Sequence, residues 1–516
     1  MSFADNIILL SDSAKATHWW QYPPGTQYVY SYFESDGSDR EGWEDVVFFG
    51  LQYFLKRYLT GQVITKEKIE QAGKIYAQHF GNGIHENPGR FFKEGWEYIL
   101  DTHGGHLPIK IKALPEGQVV PTNTVLMTVV NTDPRCYWLT SFVESLLTQV
   151  WYSITMCTVS RMMKLCIQRG HEETGCEKLP MAVPNFQLHD IGFQSASSVE
   201  SAALNALSHL VNFTGSDSPI ANILASEFYG ATEATGYAKP SVIPSTIITW
   251  GPEGELEAMR NILDHHGSVS CSSDSFDTMT TCQKYWGEAL RDKIIDRCHL
   301  EEAIAKQAEI GQLYVRLERC DPDEIVGVLK ILLEKFPEMV FSTGTGHKVL
   351  PPYVRVWVAE GGDYKSIPPV LQRLKEEGIA TVNLRFGRGS SQLKADRDTF
   401  KLNFKCSEVV GSEAREVGTA KKGKLTLQKA DSIDLDSSSG YPANSLGDNT
   451  GFLHFSKDGK YVTIASGRGN PEKDLLVDVF ENGQLLKEYT FSEIRQRAEV
   501  PNGKWCVNPP EYYKKG

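Results

Sequence analysis

Hydrophobic and polar positions divide the chain into three regimes. In the first, Asn6-Ile7-Ile8-Leu9-Leu10 is a short unbroken apolar run of the kind that predicts a buried strand, and the polar cluster from Ser11 to His18 reads as a turn. Val29-Tyr30-Ser31-Tyr32-Phe33 has the aromatic composition of a strand and is followed by an acidic loop, Asp36-Gly37-Ser38-Asp39. Helical spacing runs from about 44 to 58 and from 66 to 80. Strand signals return at Ile109-Lys110-Ile111-Lys112 and at 125–130. Asn131-Thr132-Asp133-Pro134 then opens an amphipathic helix, with Asp133 as N-cap, Pro134 at the first helical position, and Trp138, Phe142 and Leu146 on the apolar stripe.

From about 180 to 390, short apolar runs alternate with helices. The runs are Ile247-Ile248-Thr249-Trp250, Ser268-Val269-Ser270, Leu313-Tyr314-Val315-Arg316-Leu317, Tyr353-Val354-Arg355-Val356-Trp357-Val358 and Thr381-Val382-Asn383-Leu384-Arg385-Phe386. Repeated strand-then-helix units predict a parallel α/β barrel or wound sheet whose site lies at the C-terminal strand ends. Beyond 390 strands dominate, with hairpin turns at Asp458-Gly459 and Asn482-Gly483. The Ser-, Gly-, Asp- and Asn-rich segment 431–450 reads as a surface insertion.

The chain is organised around Leu188-His189-Asp190-Ile191-Gly192-Phe193-Gln194-Ser195-Ala196-Ser197-Ser198, an apolar run that yields to small residues and then to a helix. Ser197 and Glu200 have capping-box spacing, and Val199, Ala202, Ala203, Ala206, Leu207 and Leu210 follow at helical spacing. A helix N-terminus suits an anion such as phosphate. A capped turn without a ligand has the same spacing, and spacing alone favours it.

Composition narrows the classes. The 516 residues are 41% hydrophobic, enough for two domains. The net charge of -12 and the shortness of the Lys/Arg runs argue against a nucleic-acid partner. No run approaches 18 apolar residues and the start lacks a basic signal region, so a cytoplasmic protein without a membrane span is expected. Ten Cys without a C-x-x-C pair predict reduced core thiols and no metal site.

Five stretches carry a resemblance. Thr17-His18 with Gln21-Tyr22-Pro23-Pro24, Tyr30-Ser31-Tyr32-Phe33-Glu34, Phe49-Gly50-Leu51-Gln52-Tyr53, Asn131-Thr132-Asp133-Pro134-Arg135-Cys136-Tyr137-Trp138-Leu139-Thr140 and His209-Leu210-Val211-Asn212-Phe213 stand in the order seen in nicotinamide phosphoribosyltransferases. The chain resembles that family from about residue 6 to 496. The resemblance implies a homodimer of two-domain subunits with its site at the dimer interface. Residues 1–150 with 395–516 would form a mostly antiparallel α+β domain from both chain ends, and 151–394 an irregular α/β barrel carrying the ligand site. It also implies NAD salvage: nicotinamide and phosphoribosyl pyrophosphate give nicotinamide mononucleotide, with Mg and ATP as cofactors and ATP hydrolysis coupled through a phosphorylated His.

The same resemblance marks where this chain departs from the family. The Tyr and Phe that sandwich the pyridine are matched by Ala14 and Ile191, while Asp217 keeps the position that accepts from the carboxamide. Losing two stacking faces costs roughly 1 to 3 kcal/mol apiece. The loop Arg is matched by Gln194, followed by Ser195, and a second family Arg by Asp36 or its acidic neighbours. A neutral amide or a carboxylate there weakens a phosphate clamp. Arg397 and Lys405 match basic residues that reach in from the partner subunit, and a further family Lys falls near Arg415.

At Ile243-Pro244-Ser245-Thr246-Ile247 the family has Glu-His before Ser-Thr-Ile; Pro244 therefore stands where the phosphorylated His would be and carries neither nucleophile nor base. Asp274 matches the carboxylate that orients that His and is left without its partner, although His265 and His266 lie further along the chain. The pyrophosphate end is Arg316-Leu317-Glu318-Arg319-Cys320, with Ala359-Glu360-Gly361 and Gly387-Arg388-Gly389-Ser390-Ser391 for two family Gly-rich turns. Cys320, Ser390 and Ser391 weaken a backbone cradle that needs Gly, and Arg388 offers a replacement cation for the phosphate or for another anion. With packing motifs kept and ligand-facing positions changed, three readings follow. They are a catalytically impaired paralogue that binds a nucleotide or sugar phosphate as a dimer, a pentosyltransferase with a re-cut pocket and no ATP coupling, and slow nicotinamide salvage.

Overall fold

The computed structural model describes residues 5–40, 42–81, 85–177, 179, 184–265, 267–298, 310–389, 396–411, 415–418, 424–429, 453–455, 461–464 and 470–499. Near the N-terminus β1 (Thr26–Ser35) is followed by helices α1 (Lys66–His79) and α2 (Lys93–His103), then β2 (Ile109–Ala113) and β3 (Val125–Asn131). Helices α3 (Tyr137–Thr148) and α4 (Trp151–Glu173) come next.

The middle of the chain alternates strands and helices: β4 (Leu188–Asp190), α5 (Val199–Leu210), β5 (Gly215–Ser216), α6 (Ile220–Tyr229), β6 (Ser241–Val242), α7 (Pro244–Ile248), α8 (Glu255–His265) and β7 (Val269–Ser272). It continues with β8 (Leu313–Leu317), α9 (Pro322–Lys335), β9 (Val354–Val358), α10 (Ile367–Glu376) and β10 (Leu384–Arg388). The C-terminal part supplies β11 (Leu402–Gly411), β12 (Arg415–Gly418), β13 (Lys424–Lys429), β14 (Val477–Glu481), β15 (Gln484–Leu485) and α11 (Phe491–Ala498).

Two sheets organise these elements. The first has eight strands in the order β12-β13-β11-β1-β3-β2-β14-β15, antiparallel except for the β11–β13 pair. It thus interleaves strands from both chain ends. The second has seven strands in the order β5-β4-β10-β9-β8-β7-β6, all parallel. Gly215 of β5 bridges Tyr237, just before β6, which brings the two edges together. The fold is therefore an irregular α/β barrel beside a mostly antiparallel α+β layer.

The barrel strands read as apolar because both faces are covered. Leu313, Val315 and Leu317 of β8 and Val354, Val356 and Val358 of β9 join the main core, while the residues between them turn the other way.

Several local expectations are corrected. The apolar run at 6–10 is a single 3₁₀ turn, Ile7–Leu9, because the Asn6 side chain accepts from the Ile8 N–H and caps it. The helical pattern from 44 begins with a strand, Asp45–Val47, and turns helical only at Leu51. Gly50 separates them with φ +104, and a Cβ there would meet the Ser153 Cβ at 2.4 Å. The run Ile247-Ile248-Thr249-Trp250 is not a strand. Pro244 presets the first turn of α7, and of its apolar residues only Ile247 is buried.

The expected Ser197–Glu200 capping box is displaced by one residue: Ser198 is the N-cap of α5, pairing reciprocally with Ser201. Asp133 caps the helix start as expected, its side chain accepting from the Arg135 N–H. At Asn482-Gly483 both residues have positive φ, 49 and 82, as a two-residue hairpin turn requires. The turn at Asp458-Gly459 and the insertion 431–450 lie outside the described residues.

Candidate functional site

The C-terminal ends of the parallel strands converge where the organising loop leaves β4. Asp190, at the end of β4, faces the helices; it accepts from the Gly192 N–H at 3.2 Å, Asn205 Nδ2 at 3.0 Å and the hydroxyls of Ser216 at 2.9 Å and Ser218 at 3.2 Å. These bonds tie the loop to α5 and β5. Ile191 follows, its N–H bonded to the Arg388 carbonyl at 3.0 Å. A Cβ on Gly389 would lie 3.5 Å from Ile191 and 3.7 Å from the Glu360 carboxylate, so Ile191, Gly389 and Glu360 form one corner. Beside it Gly361 has φ +88, and a Cβ there would strike the Cys320 Cβ at 2.7 Å. Burial pushes the Cys320 thiol up to about 12.

The inward-facing positions of the strands meet in the lumen. The rings of His189 and Trp357 lie 5.1 Å apart, and Tyr314 meets Trp357 edge-on at 6.4 Å. Arg316 lies 5.8 Å from the Trp357 ring and Arg385 4.5 Å from that of Tyr314. The Trp357 indole N–H is buried and finds no acceptor among the described residues. Of these lumen residues only Arg316 was assigned to the site from sequence. Their signal was present all the same, as polar and aromatic side chains at every second position of strands that otherwise read as apolar.

Nearly every charge that the sequence assigned to ligand binding is already matched within the protein. Arg316 donates from Nε to Glu318 Oε1 at 2.7 Å, from Nη2 to Oε2 at 3.4 Å and from Nη1 to Ser241 Oγ at 2.6 Å. Asp217 Oδ1 pairs with His189 Nε2 at 2.8 Å. Lys405, opposite Tyr32 on the β1–β11 pair, reaches Glu34 at 2.5 Å and also bonds Asp36. Partial burial draws that ammonium down, but the bonds to Asp36 and Glu34 prevail and hold it above its usual range. Arg397 is half exposed, 3.7 Å from Asp398.

Asp274 is not left idle. Its Oδ1 accepts from Ser272 Oγ at 2.9 Å and its Oδ2 from the Glu318 N–H at 2.6 Å. Pro244 begins α7 directly after β6, at the same end of the barrel. His265 ends α8, before β7 starts, and is exposed with Nδ1 on the Asn261 carbonyl at 2.7 Å. It therefore sits at the opposite end, about 10 Å away along a four-residue strand, and cannot replace the missing His. His266 lies outside the described residues.

Arg388 is a second correction. Its side chain is 1% exposed and turns behind the sheet toward α4 and α5, bonding Ser160 and approaching Asn205 Oδ1 at 3.4 Å. The space between β10 and those helices accepts it, with Asp190 as the nearby countercharge. It supplies no cation to the mouth. Ala14 and Gln194 are exposed, the first heading a 3₁₀ turn packed along α3 and the second on the turn Phe193–Ser195. Ser390 and Ser391, and the side chain of Arg415, lie outside the described residues.

Among the described residues the donors do not suit Mg-pyrophosphate, because both Glu318 oxygens are committed to Arg316 and Glu360 lies on the exposed rim. A different group, His103, Asp133 and Cys136, brings its ligand atoms within 4.8 Å beside the antiparallel sheet. The Asp133 carboxylate there is already saturated by the Arg135 N–H, the Tyr98 hydroxyl and His103.

A seven-stranded parallel barrel beside a mostly antiparallel sheet is the fold of the type II phosphoribosyltransferases. The solved nicotinate-nucleotide pyrophosphorylase from Pyrococcus furiosus shares this fold, with a TM-score of 0.54 at 14% identity over 96% of each chain. The description "Nicotinamide phosphoribosyltransferase, N-terminal domain" matches residues 6–111, and that of the nicotinate phosphoribosyltransferase family matches residues 186–436. The nicotinamide phosphoribosyltransferase of Xanthomonas campestris pv. campestris is 36% identical over 517 residues, spanning 97% of this chain and 99% of its own. That of Acinetobacter baylyi is 28% identical, spanning 96% and 98%. The chain belongs to the nicotinamide phosphoribosyltransferase family.

Proposed function

We propose that this family member keeps the phosphoribosyltransferase fold of NAD salvage but has lost the ATP-coupled transfer step, and that it binds a small nucleotide or sugar phosphate as a homodimer. Pro244 carries the reading. A proline at the first position of α7 offers no lone pair to a phosphoryl group, and Asp274, the carboxylate beside it in the family, is bonded to Ser272 and to the Glu318 backbone. Supporting the loss of transfer, Lys405 is paired with Glu34 and Asp36 and Arg316 with Glu318, so neither stands ready to clamp the pyrophosphate that the transfer step expels.

The chemistry of expelling pyrophosphate from a ribose sets the test. That step develops a cationic sugar and needs a fixed anion clamp and a stacked base. Incubation with nicotinamide, phosphoribosyl pyrophosphate, Mg and ATP is expected to yield neither mononucleotide nor acid-labile phosphoprotein. Turnover with phosphohistidine would overturn the proposal. Mononucleotide from a different base without ATP consumption would instead establish a pentosyltransferase with a re-cut pocket. Mass spectrometry of the protein as purified would identify a retained ligand.

A further inference from the structure

Arg316 and Glu318 stand two residues apart at the end of β8, so their side chains leave on the same face. The guanidinium meets the carboxylate with two of its nitrogens, 2.7 Å and 3.4 Å from the two oxygens. This is the fork geometry with which an arginine grips a carboxylate or phosphate from outside the protein. Here the occupant is internal.

Three neighbours keep it in place. Ser241 Oγ takes the remaining terminal nitrogen at 2.6 Å, the Trp357 ring lies 5.8 Å behind the guanidinium carbon, and Asp274 pins the Glu318 N–H at 2.6 Å. The Arg316 side chain is 8% exposed while that of Glu318 is 29% exposed, so the carboxylate lies on the solvent side of the fork. An arriving anion meets the carboxylate first.

We infer that Glu318 is a built-in occupant of the anion site: its carboxylate closes the Arg316 fork to phosphate and pyrophosphate and so determines which ligands the mouth of the barrel accepts. The inference rests on the reading of that mouth as a small-molecule site. A tethered carboxylate competes at high effective concentration and loses little freedom on pairing, whereas a free anion must be immobilised and must also overcome repulsion from the acid it displaces. Removing the acid leaves a largely buried guanidinium without its counter-charge, and such a group recruits an anion from solution.

The test is calorimetric titration with inorganic phosphate and with pyrophosphate, in a phosphate-free buffer at fixed ionic strength. Wild type, Glu318→Ala, Glu318→Gln and the double variant Glu318→Ala with Arg316→Ala are compared. Phosphate and pyrophosphate should bind the wild type weakly and both single variants at least tenfold more tightly, with the gain abolished in the double variant. The Gln variant retains the length and shape of the side chain and so serves if truncation unfolds the protein. No gain in a folded single variant, or a gain that survives loss of Arg316, overturns the inference. Mononucleotide formation by the wild type is read separately. Turnover there would sink the impaired-transfer reading while leaving a Glu318-dependent gain intact.

Discussion

Asp274 Oδ2 accepts the backbone N–H of Glu318 at 2.6 Å, joining the loop after β7 to the end of β8. A carboxylate that looks catalytic by its position in the sequence is thereby part of the scaffold. Asp274→Ala leaves that N–H and the Ser272 hydroxyl without their acceptor, and a cost of roughly 1 to 3 kcal/mol is expected. Urea denaturation measures it. A change below about 0.5 kcal/mol, the range of an ordinary surface substitution, would mean that water replaces the carboxylate fully.

Restoring the stack should recover base binding without restoring chemistry. Ala14→Tyr with Ile191→Phe supplies two aromatic faces while leaving Pro244 and the paired cations untouched. At roughly 1 to 3 kcal/mol per face, affinity for nicotinamide should rise at least tenfold by calorimetry. Without the two aromatic faces the wild-type affinity should be low, although Asp217, whose Oδ1 meets His189 at 2.8 Å, keeps a second oxygen for the carboxamide. Equal, undetectable binding by both proteins would show that the corner formed by Ile191, Gly389 and Glu360 does not receive the ring.

The proposed dimer has a physical motive in side chains that follow the ends of β4 and β6. Phe193, Val199, Ile243, Ile248 and Trp250 are all exposed in the single chain. Light scattering at micromolar concentration should give a dimer, and Ile248→Asp with Trp250→Asp should weaken it at least tenfold. A monomeric wild type would remove the homodimer from the proposal.

Stability should fall as pH rises through neutrality because of a buried acid. Burial lifts the Glu116 carboxyl to about 7, although the N–H groups of Gln52 and Gly50 donate to it and pull the other way. An unfolded glutamate titrates near 4.5. Between those values the folded state binds more protons than the unfolded, so the unfolding free energy declines with pH, by at most about 1.4 kcal/mol per unit. Burial also lifts Glu408, to about 8, with the same sign, whereas the buried His171 and His209, lowered mainly by burial, act oppositely below about 6.5. Comparing urea midpoints at pH 5.5 and 7.5 for wild type and Glu116→Gln isolates one group. The wild type should lose more stability than the variant over that interval, and parallel profiles would rule out the lifted carboxyl.

Sequence patterning made the barrel legible because a strand covered on both faces has to be apolar at the core-facing positions, as in Leu313, Val315 and Leu317. It failed at Ile247-Ile248, where one proline decides between strand and helix and apolar content does not. The departures at Pro244, Ala14 and Gln194 were legible only against the family resemblance, as residue types that differ from what the family carries there. Pairing was not legible. That Arg388 turns behind the sheet, that Asp274 holds a backbone N–H, and that Lys405 bridges Glu34 and Asp36 depend on which elements meet, and those partners lie up to 371 residues apart. Sequence spacing carries no signal for contacts of that range.

The interleaving of both chain ends in one sheet also sets a timetable for synthesis. Strands β1, β3 and β2 emerge from the ribosome early and can pair among themselves, but their flanking partners β11 and β14 come more than two hundred residues later. At translation speeds of about 5–20 residues per second, the first three strands present two open hydrogen-bonding edges for on the order of ten seconds to a minute. Throughout that interval the seven barrel strands, contiguous in the chain, are being made. The nascent protein therefore has all seven barrel strands in hand while the sheet still lacks its flanking strands, and those open edges are what a chaperone would have to shield.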